Sequence, residues 1–236
     1  MSRASRRRLV TALHWVPLGL LGLAFVAWPG LDLAISAALH DPLRVPAFFA
    51  AEHPLVRASY VAVPWLGRGA LLAAAAVTLW PRPRAGRWRR RAALLLGVAV
   101  LANGAVVSWL LKDHGGRPRP LAVHEFGGDQ PFVAALRPGG PCDRNCSFVS
   151  GHAATGYALM AVGLLSAPAI RRRWTAAGLA AGTAIGVGRV LQGGHFASDV
   201  VFAAIVVGGV CALLRTAWLH ARLRRRRRRL APRCAT

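Results

Sequence analysis

Lys112 is the only lysine in a chain with 31 basic residues; every other one is arginine. It stands in "SWLLKDHGGRPRPL", with six residues between it and Arg119-Pro120. A second stretch, "SFVSGHAATGYA", sets Ser150, Gly151 and His152 ahead of an apolar run, and a third, "GRVLQGGHFASDV", holds Arg189, His195 and Asp199. Lys112, Arg119 and Arg189 supply one point charge and two planar forks, suited to clamping a tetrahedral oxyanion. The backbone N–H groups around Ser150-Gly151-His152 open a helix, a ready anion site, and glycine at 151 lets that backbone come close. A neutral histidine held by a carboxylate on its other nitrogen is an activated nucleophile or base. A second histidine on a different helix can protonate a leaving group. Two histidines, one aspartate and three cations around an anion point to phosphoryl transfer.

Each piece alone has a plainer account. A lysine at a helix end commonly snorkels to the membrane interface, Ser-Gly-His before an apolar run serves as a helix cap, and a single histidine sits well at an interface. Asp199 is harder to dismiss. It borders "VVFAAIVVGGV", where a carboxylate needs a partner, and four residues along a helix it faces His195.

The elements that must hold these residues are apolar. Hydrophobic residues make up 55% of 236 and mean hydropathy is +0.40. Six runs reach the length of a bilayer span, about 20 residues in a helix: Leu9–Leu31, Tyr60–Trp80, Ala92–Leu111, Ala153–Ile170, Trp174–Leu191 and Val200–Leu219. The first, preceded by arginines, has the look of a signal peptide, but it is too long for one and lacks a clean cleavage site, so it is expected to be retained. The net charge of +23 would suit nucleic acid, yet the charge falls in bursts between apolar runs, which excludes that partner. Four arginines precede the first run, six lie in 82–91, three in 171–173 and nine at or beyond the end of the sixth. With six spans these 22 share one side, cytoplasmic by the positive-inside rule. All eight acidic residues fall in the opposite loops or at their edge.

The expected protein is therefore all-α: a single polytopic domain over 1–236 with six transmembrane helices, both termini cytoplasmic, and a polybasic tail over 220–236 that anchors topology and attracts anionic lipid. The reactive residues fall at the extracytoplasmic ends of the helices. The long loop between the third and fourth spans is glycine-rich and polar; its Arg117, His124, Glu125, Arg137 and Arg144 are suited to a large head group. Cys142 and Cys146 sit in that loop, where an oxidising compartment permits a disulfide. Cys211 reads as a small core residue and Cys234 as a tail thiol.

These stretches resemble the three-part signature of the type 2 phosphatidic acid phosphatase (PAP2) superfamily: K-x6-RP, PSGH and SR-x5-H-x3-D. Here the parts are Lys112-x6-Arg119-Pro120, Val149-Ser150-Gly151-His152 and Gly188-Arg189-x5-His195-x3-Asp199. Val149 stands where the family usually has proline and Gly188 where it usually has serine; neither change removes a charge or a proton-transfer group. The resemblance implies an inner-membrane lipid phosphate phosphatase that needs no metal and no cofactor. By that resemblance His195 is the nucleophile and becomes a phosphohistidine, Asp199 fixes its tautomer, and His152 protonates the leaving alcohol and then activates water. Lys112, Arg119, Arg189, Ser150 and the Gly151 backbone hold the phosphate oxygens. Undecaprenyl pyrophosphate, phosphatidic acid, phosphatidylglycerol phosphate and lipid A are all candidate substrates, and the oligomeric state is left open. The alternatives are a lipid phosphotransferase and a non-enzymatic anion-binding or transport protein.

Overall fold

The computed structural model describes residues 15–81 and 86–230. Among them every regular element is helical. Helices α1 (Val16–Ala27) and α2 (Gly30–Ala37) meet at 94°. The break falls at Trp28-Pro29 because a residue before proline is pushed out of the helical region; Trp28 sits at φ −127°, ψ 77°. Helix α3 (Pro54–Leu79) opens on proline, whose missing N–H costs nothing in a first turn. Helix α4 (Gly86–Lys112) is an α-helix to Val98 and widens into π-type turns from Ala99 to Lys112. There the Ser108 hydroxyl donates to the Asn103 carbonyl, five residues back, at 2.7 Å. Helix α5 (Gly151–Tyr157) tightens into a 3₁₀ stretch over Ala158–Gly163. Helices α6 (Pro168–Leu191) and α7 (Ala197–Leu230) complete the bundle.

Among the described residues, three helices are long and apolar enough to cross a membrane: α3, α4 and the Ala197–Arg225 part of α7; the bent α1–α2 pair makes a fourth if it counts as one span. They enclose nearly all of the apolar runs expected at 60–80, 92–111 and 200–219. Of the other three runs, two are not single helices. The run expected at 9–31 lies partly outside the described residues and is interrupted at Trp28-Pro29. The one expected at 153–170 is α5 plus its 3₁₀ extension, ended before Pro168 starts α6. The one expected at 174–191 is the apolar part of α6, whose beginning carries Arg171, Arg172 and Arg173.

Helices α5, α6 and α7 pack without room for side chains at their crossings. A Cβ at Gly182 would lie 2.2 Å from the Tyr157 ring, and one at Gly186 would lie 2.3 Å from Val200. Such close backbone approach is how helices associate where lipid removes the hydrophobic drive. The buried interior includes Val98, Ala102, Tyr157, Ala203 and Val207. The outside is apolar as well: Trp65, Leu66, Leu72 and Leu79 on α3 are each at least two-thirds exposed. Apolar faces of this extent belong against lipid.

The loop from Asp113 to Ser150 is pinned to the end of α4. Cys146 and Ser147 donate backbone N–H bonds to the Lys112 and Arg117 carbonyls at 3.0 and 2.8 Å. Cys142 and Cys146 are joined in a disulfide, with Cα atoms 5.8 Å apart. Gly116, at φ +72°, lies so close to Gly140 that a Cβ would come 2.5 Å from its carbonyl oxygen. A small apolar cluster of Phe48, Val123, Phe126 and Phe196 ties this loop to the α2–α3 connection and to the start of α7. Cys211 is a buried free thiol, while Cys234 lies outside the described residues.

Candidate active site

At the loop end of the bundle the three sequence stretches come together. Lys112 ends α4 and its Nζ donates to the Cys146 carbonyl at 2.7 Å. Arg119 donates to the Asn145 carbonyl at 2.9 Å. Ser150 caps α5, its hydroxyl accepting from the Ala153 N–H at 3.4 Å. A Cβ on Gly151 would meet the Lys112 side chain at 4.0 Å, so the ammonium lies beside the first turn of α5. Arg189 is buried in the last turn of α6 and donates to the Gln192 side chain.

His195 precedes α7 and is 1% exposed. Its Nδ1 lies 3.4 Å from Asp199 Oδ2, one turn on. That exceeds a full N–H···O bond of about 2.7–3.2 Å, because Oδ2 also accepts from the Phe196 N–H at 2.9 Å and from the Ser147 hydroxyl. With Nδ1 turned to the carboxylate, Nε2 is the nitrogen left for nucleophilic attack. Burial, followed by the nearby charges of Lys112 and Arg189, outweighs the pull of Asp199 and pushes His195 down to about 3. His152, in the first turn of α5, is pushed down to about 4 by burial and then by Arg189. Both imidazoles are therefore neutral at pH 7. Among the described residues, two buried nitrogens here have no partner: His152 Nε2 and Arg189 Nε. An unpaired buried polar atom is costly, and the two at this site suit a ligand that offers Arg189 an acceptor and His152 a proton.

Three groups that sequence reasoning left out of the site belong to it. Arg117, read from sequence as a head-group contact, is 1% exposed and cannot reach a ligand. Its guanidinium donates to Asp199 at 2.5 Å, Asp32 at 2.8 Å, the Ser198 hydroxyl at 2.8 Å and the Val133 carbonyl at 2.8 Å. It also lies over the Phe196 ring at 4.4 Å. Asp32, on α2, accepts from the Ser198 N–H at 2.9 Å and its hydroxyl at 2.6 Å, and is fully buried. Arg117 and Asp32 thus fix the carboxylate that faces His195. Tyr60, on α3, stacks on His152 at 5.2 Å and lies under Arg189 at 4.5 Å, setting both against one aromatic wall. The signals were faint: an arginine two positions before Arg119, an aspartate bordering an apolar run, and an interfacial aromatic. The remaining loop groups suggested for a head group, His124, Glu125, Arg137 and Arg144, are all exposed. The glycine at 188 also has a local reason, since a Cβ there would come 3.3 Å from the Ser59 hydroxyl of α3.

In chemical terms the site offers a neutral nucleophilic imidazole backed by a fixed carboxylate, a second imidazole with a free nitrogen, three cations and a helix N-terminus. The sequence model of the PAP2 superfamily matches residues 92–224, more than half of the chain. Curated relatives include a lipid A 4'-phosphatase of Francisella tularensis subsp. novicida, 42% identical over 122 residues that cover 50% of this chain and 54% of the relative. Another is a lipid A 4'-phosphatase of Rhizobium leguminosarum, 41% identical over 107 residues, 45% of this chain and 46% of the relative. The matched part spans about half the length of these relatives. No solved structure matches.

Proposed function

Because the chain belongs to the PAP2 superfamily, we propose that it is a membrane phosphatase that removes a phosphate monoester from a lipid, working through a phosphohistidine. The observation that carries this is the pair of unpartnered buried nitrogens, His152 Nε2 and Arg189 Nε, beside an imidazole held neutral. His195 Nε2 attacks phosphorus, forming an N–P bond as the P–O bond to the lipid alcohol breaks. His152 takes the proton that the monoanionic phosphate brings and passes it to the departing oxygen, then takes one from the water that attacks the phosphohistidine, releasing inorganic phosphate. Asp199 stabilises the imidazolium character that grows on His195, and Arg117 and Ser147 keep its oxygens in place. Lys112, Arg119, Arg189 and the first amides of α5 hold the three equatorial oxygens, which is electrostatic stabilisation where charge develops.

The relatives named as lipid A 4'-phosphatases favour a sugar-linked phosphate of lipid A as the substrate. An extracytoplasmic site in the inner membrane is supported by the disulfide in the site loop and by the arginine bursts at the other end of the bundle. Six crossings with both termini cytoplasmic are supported by the path of the middle segment. Ser150 lies at the Lys112 end, while Ser166 accepts from Arg91 near the start of α4, so residues 151–166 traverse the bundle. The test is phosphate release by the purified full chain in detergent with excess EDTA, using lipid A and phosphatidic acid as rival substrates. Loss of the 4'-phosphate with free phosphate released is expected. A metal requirement, or a phosphorylated acceptor in place of free phosphate, would overturn the reading.

A further inference from the structure

At the far end of the bundle from His195 lies a cavity of about 420 Å³. Helix α4 lines it with Arg87, Arg90 and Arg91, at positions i, i+3 and i+4 that share one helix face. Helix α7 lines it from the other side with Trp218, Arg222 and Arg225, which share a face by the same spacing. Leu165, from the segment between α5 and α6, adds an apolar edge. Five guanidinium groups therefore converge with no acidic side chain among the lining residues, and all eight acids of the chain lie elsewhere in the sequence. Two of the five are braced from below: Arg91 lies over Trp88 at 5.2 Å and Arg222 over Trp218 at 5.4 Å. Arg91 is further tied to the Ser166 hydroxyl at 3.1 Å. Converging like charges repel, and an anion whose oxygens take several forked donors at once relieves that repulsion.

The position of the cavity narrows the choice of anion. Both α4 and α7 run from the active site to the cavity. The 27 residues of Gly86–Lys112 span on the order of 35–40 Å at helical rise, slightly more than the roughly 30 Å of a bilayer's hydrocarbon core. The cavity thus opens at the head-group level of the leaflet opposite the active site. Tryptophan is a residue of that level, and Leu165 with the Trp218 ring offers contact to the glycerol and upper acyl region. A free phosphate would use the arginines alone.

We propose that this cavity is a binding site for the head group of an anionic phospholipid, with the phosphate held by the α4 and α7 arginines. It ties the start of α4 to the end of α7, the two helices that carry Lys112 and Asp199 at their other ends. The proposal stands independently of the reaction assigned to the active site.

The test uses the full chain purified in zwitterionic detergent, with native mass spectrometry and thermal melting as readouts. Phosphatidylglycerol should stay bound and raise the melting temperature, whereas phosphatidylcholine and inorganic phosphate should do neither. Arg90→Gln with Arg222→Gln should weaken phosphatidylglycerol binding by about fivefold for each arginine. Arg90→Lys with Arg222→Lys preserves the charge that sets topology, so it guards against a misinserted protein, and it should still bind less well because the fork is lost. Turnover of a soluble aryl phosphate should stay at the wild-type level in these variants when no phospholipid is added. Equal retention of phosphatidylcholine, equal stabilisation by inorganic phosphate, preferential binding of nucleic acid, or unchanged phosphatidylglycerol affinity in both double variants would each overturn the proposal.

Discussion

Arg117 offers the strictest test of how the site is built, because it touches no ligand and yet should control turnover. It is 1% exposed and pairs with two fully buried carboxylates at once, Asp32 and Asp199. Arg117→Met would leave both unpaired, and breaking a buried pair typically costs about 3–5 kcal/mol. The variant should melt well below the wild type or fail to accumulate. Arg117→Lys is the more informative change. One ammonium keeps the charge but cannot serve Val133, Ser198, Asp32 and Asp199 together, as the guanidinium does. Asp199 would then settle toward its other donors, and His195 with it. Misplacing a reacting group by an ångström costs on the order of 10²-fold, so kcat should fall by about that factor with KM little changed. Adding Asp32→Asn to Arg117→Met removes one unpaired charge and should recover melting temperature without recovering turnover. The assay is steady-state phosphate release alongside thermal melting in the same detergent. A kcat for Arg117→Lys within twofold of wild type, or a loss confined to KM, would refute the positioning role and return Arg117 to substrate recognition.

Three further outcomes follow from the geometry. His152→Ala should cost about 10²–10⁴-fold in kcat/KM on a lipid phosphate and far less in kcat/KM on an activated aryl phosphate, whose leaving group needs no proton, while kcat falls on both because the intermediate is hydrolysed slowly; equal losses of kcat/KM on both would remove His152 from the acid role. With His195 and His152 pushed down to about 3 and about 4, both are neutral in the free protein above that range, so the proton for the leaving group must arrive with the substrate. A phosphate monoester loses its second proton near pH 6, so kcat/KM should be level from about pH 4 to 6 and fall as pH rises beyond; an acid limb at the ordinary histidine value near 6.5 would contradict the buried, neutral imidazoles. Gly182→Leu should abolish the folded protein, as even a Cβ there meets the Tyr157 ring at 2.2 Å, whereas Gly209→Leu, with nothing within 4 Å, should fold normally; size-exclusion profiles of the two compare them directly.

Local spacing explains how much of the site could be read in advance. Ser150 as a cap and Arg189 in a last turn follow from helix geometry over a few residues. His195 meets Asp199 four residues on, as the spacing implied, although it stands in the turn before α7 and not on the helix. Arg117 and Asp32 are different. Their bonds join positions 82 and 85 residues apart, and nothing local distinguishes a buried arginine in a glycine-rich loop from an exposed one. Tyr60 reads as an ordinary interfacial aromatic until α3 is packed against α5 and α6. The helix breaks divide in the same way. Pro29 and Pro168 mark theirs plainly, by restricting the residue before them. The π-type turns of Ala99–Lys112 and the 3₁₀ stretch of Ala158–Gly163 leave no trace in segments so evenly apolar that no periodicity stands out. That evenness is also why six runs of similar hydropathy resolve into three long apolar helices, one bent pair, a short helix that changes form partway and the apolar part of α6.

The claim on which the rest depends is that His195 carries the phosphoryl group between the lipid and water. Rapid acid or, better for an acid-labile N–P bond, alkaline quench of the full chain turning over a ³²P-labelled lipid phosphate should trap label on the protein. Peptide mapping should place it at His195, with no label in His195→Ala and accumulated label in His152→Ala given an aryl phosphate, because that variant forms the intermediate but hydrolyses it slowly. Label that persists in His195→Ala, or turnover by that variant at a rate near wild type, would contradict the account.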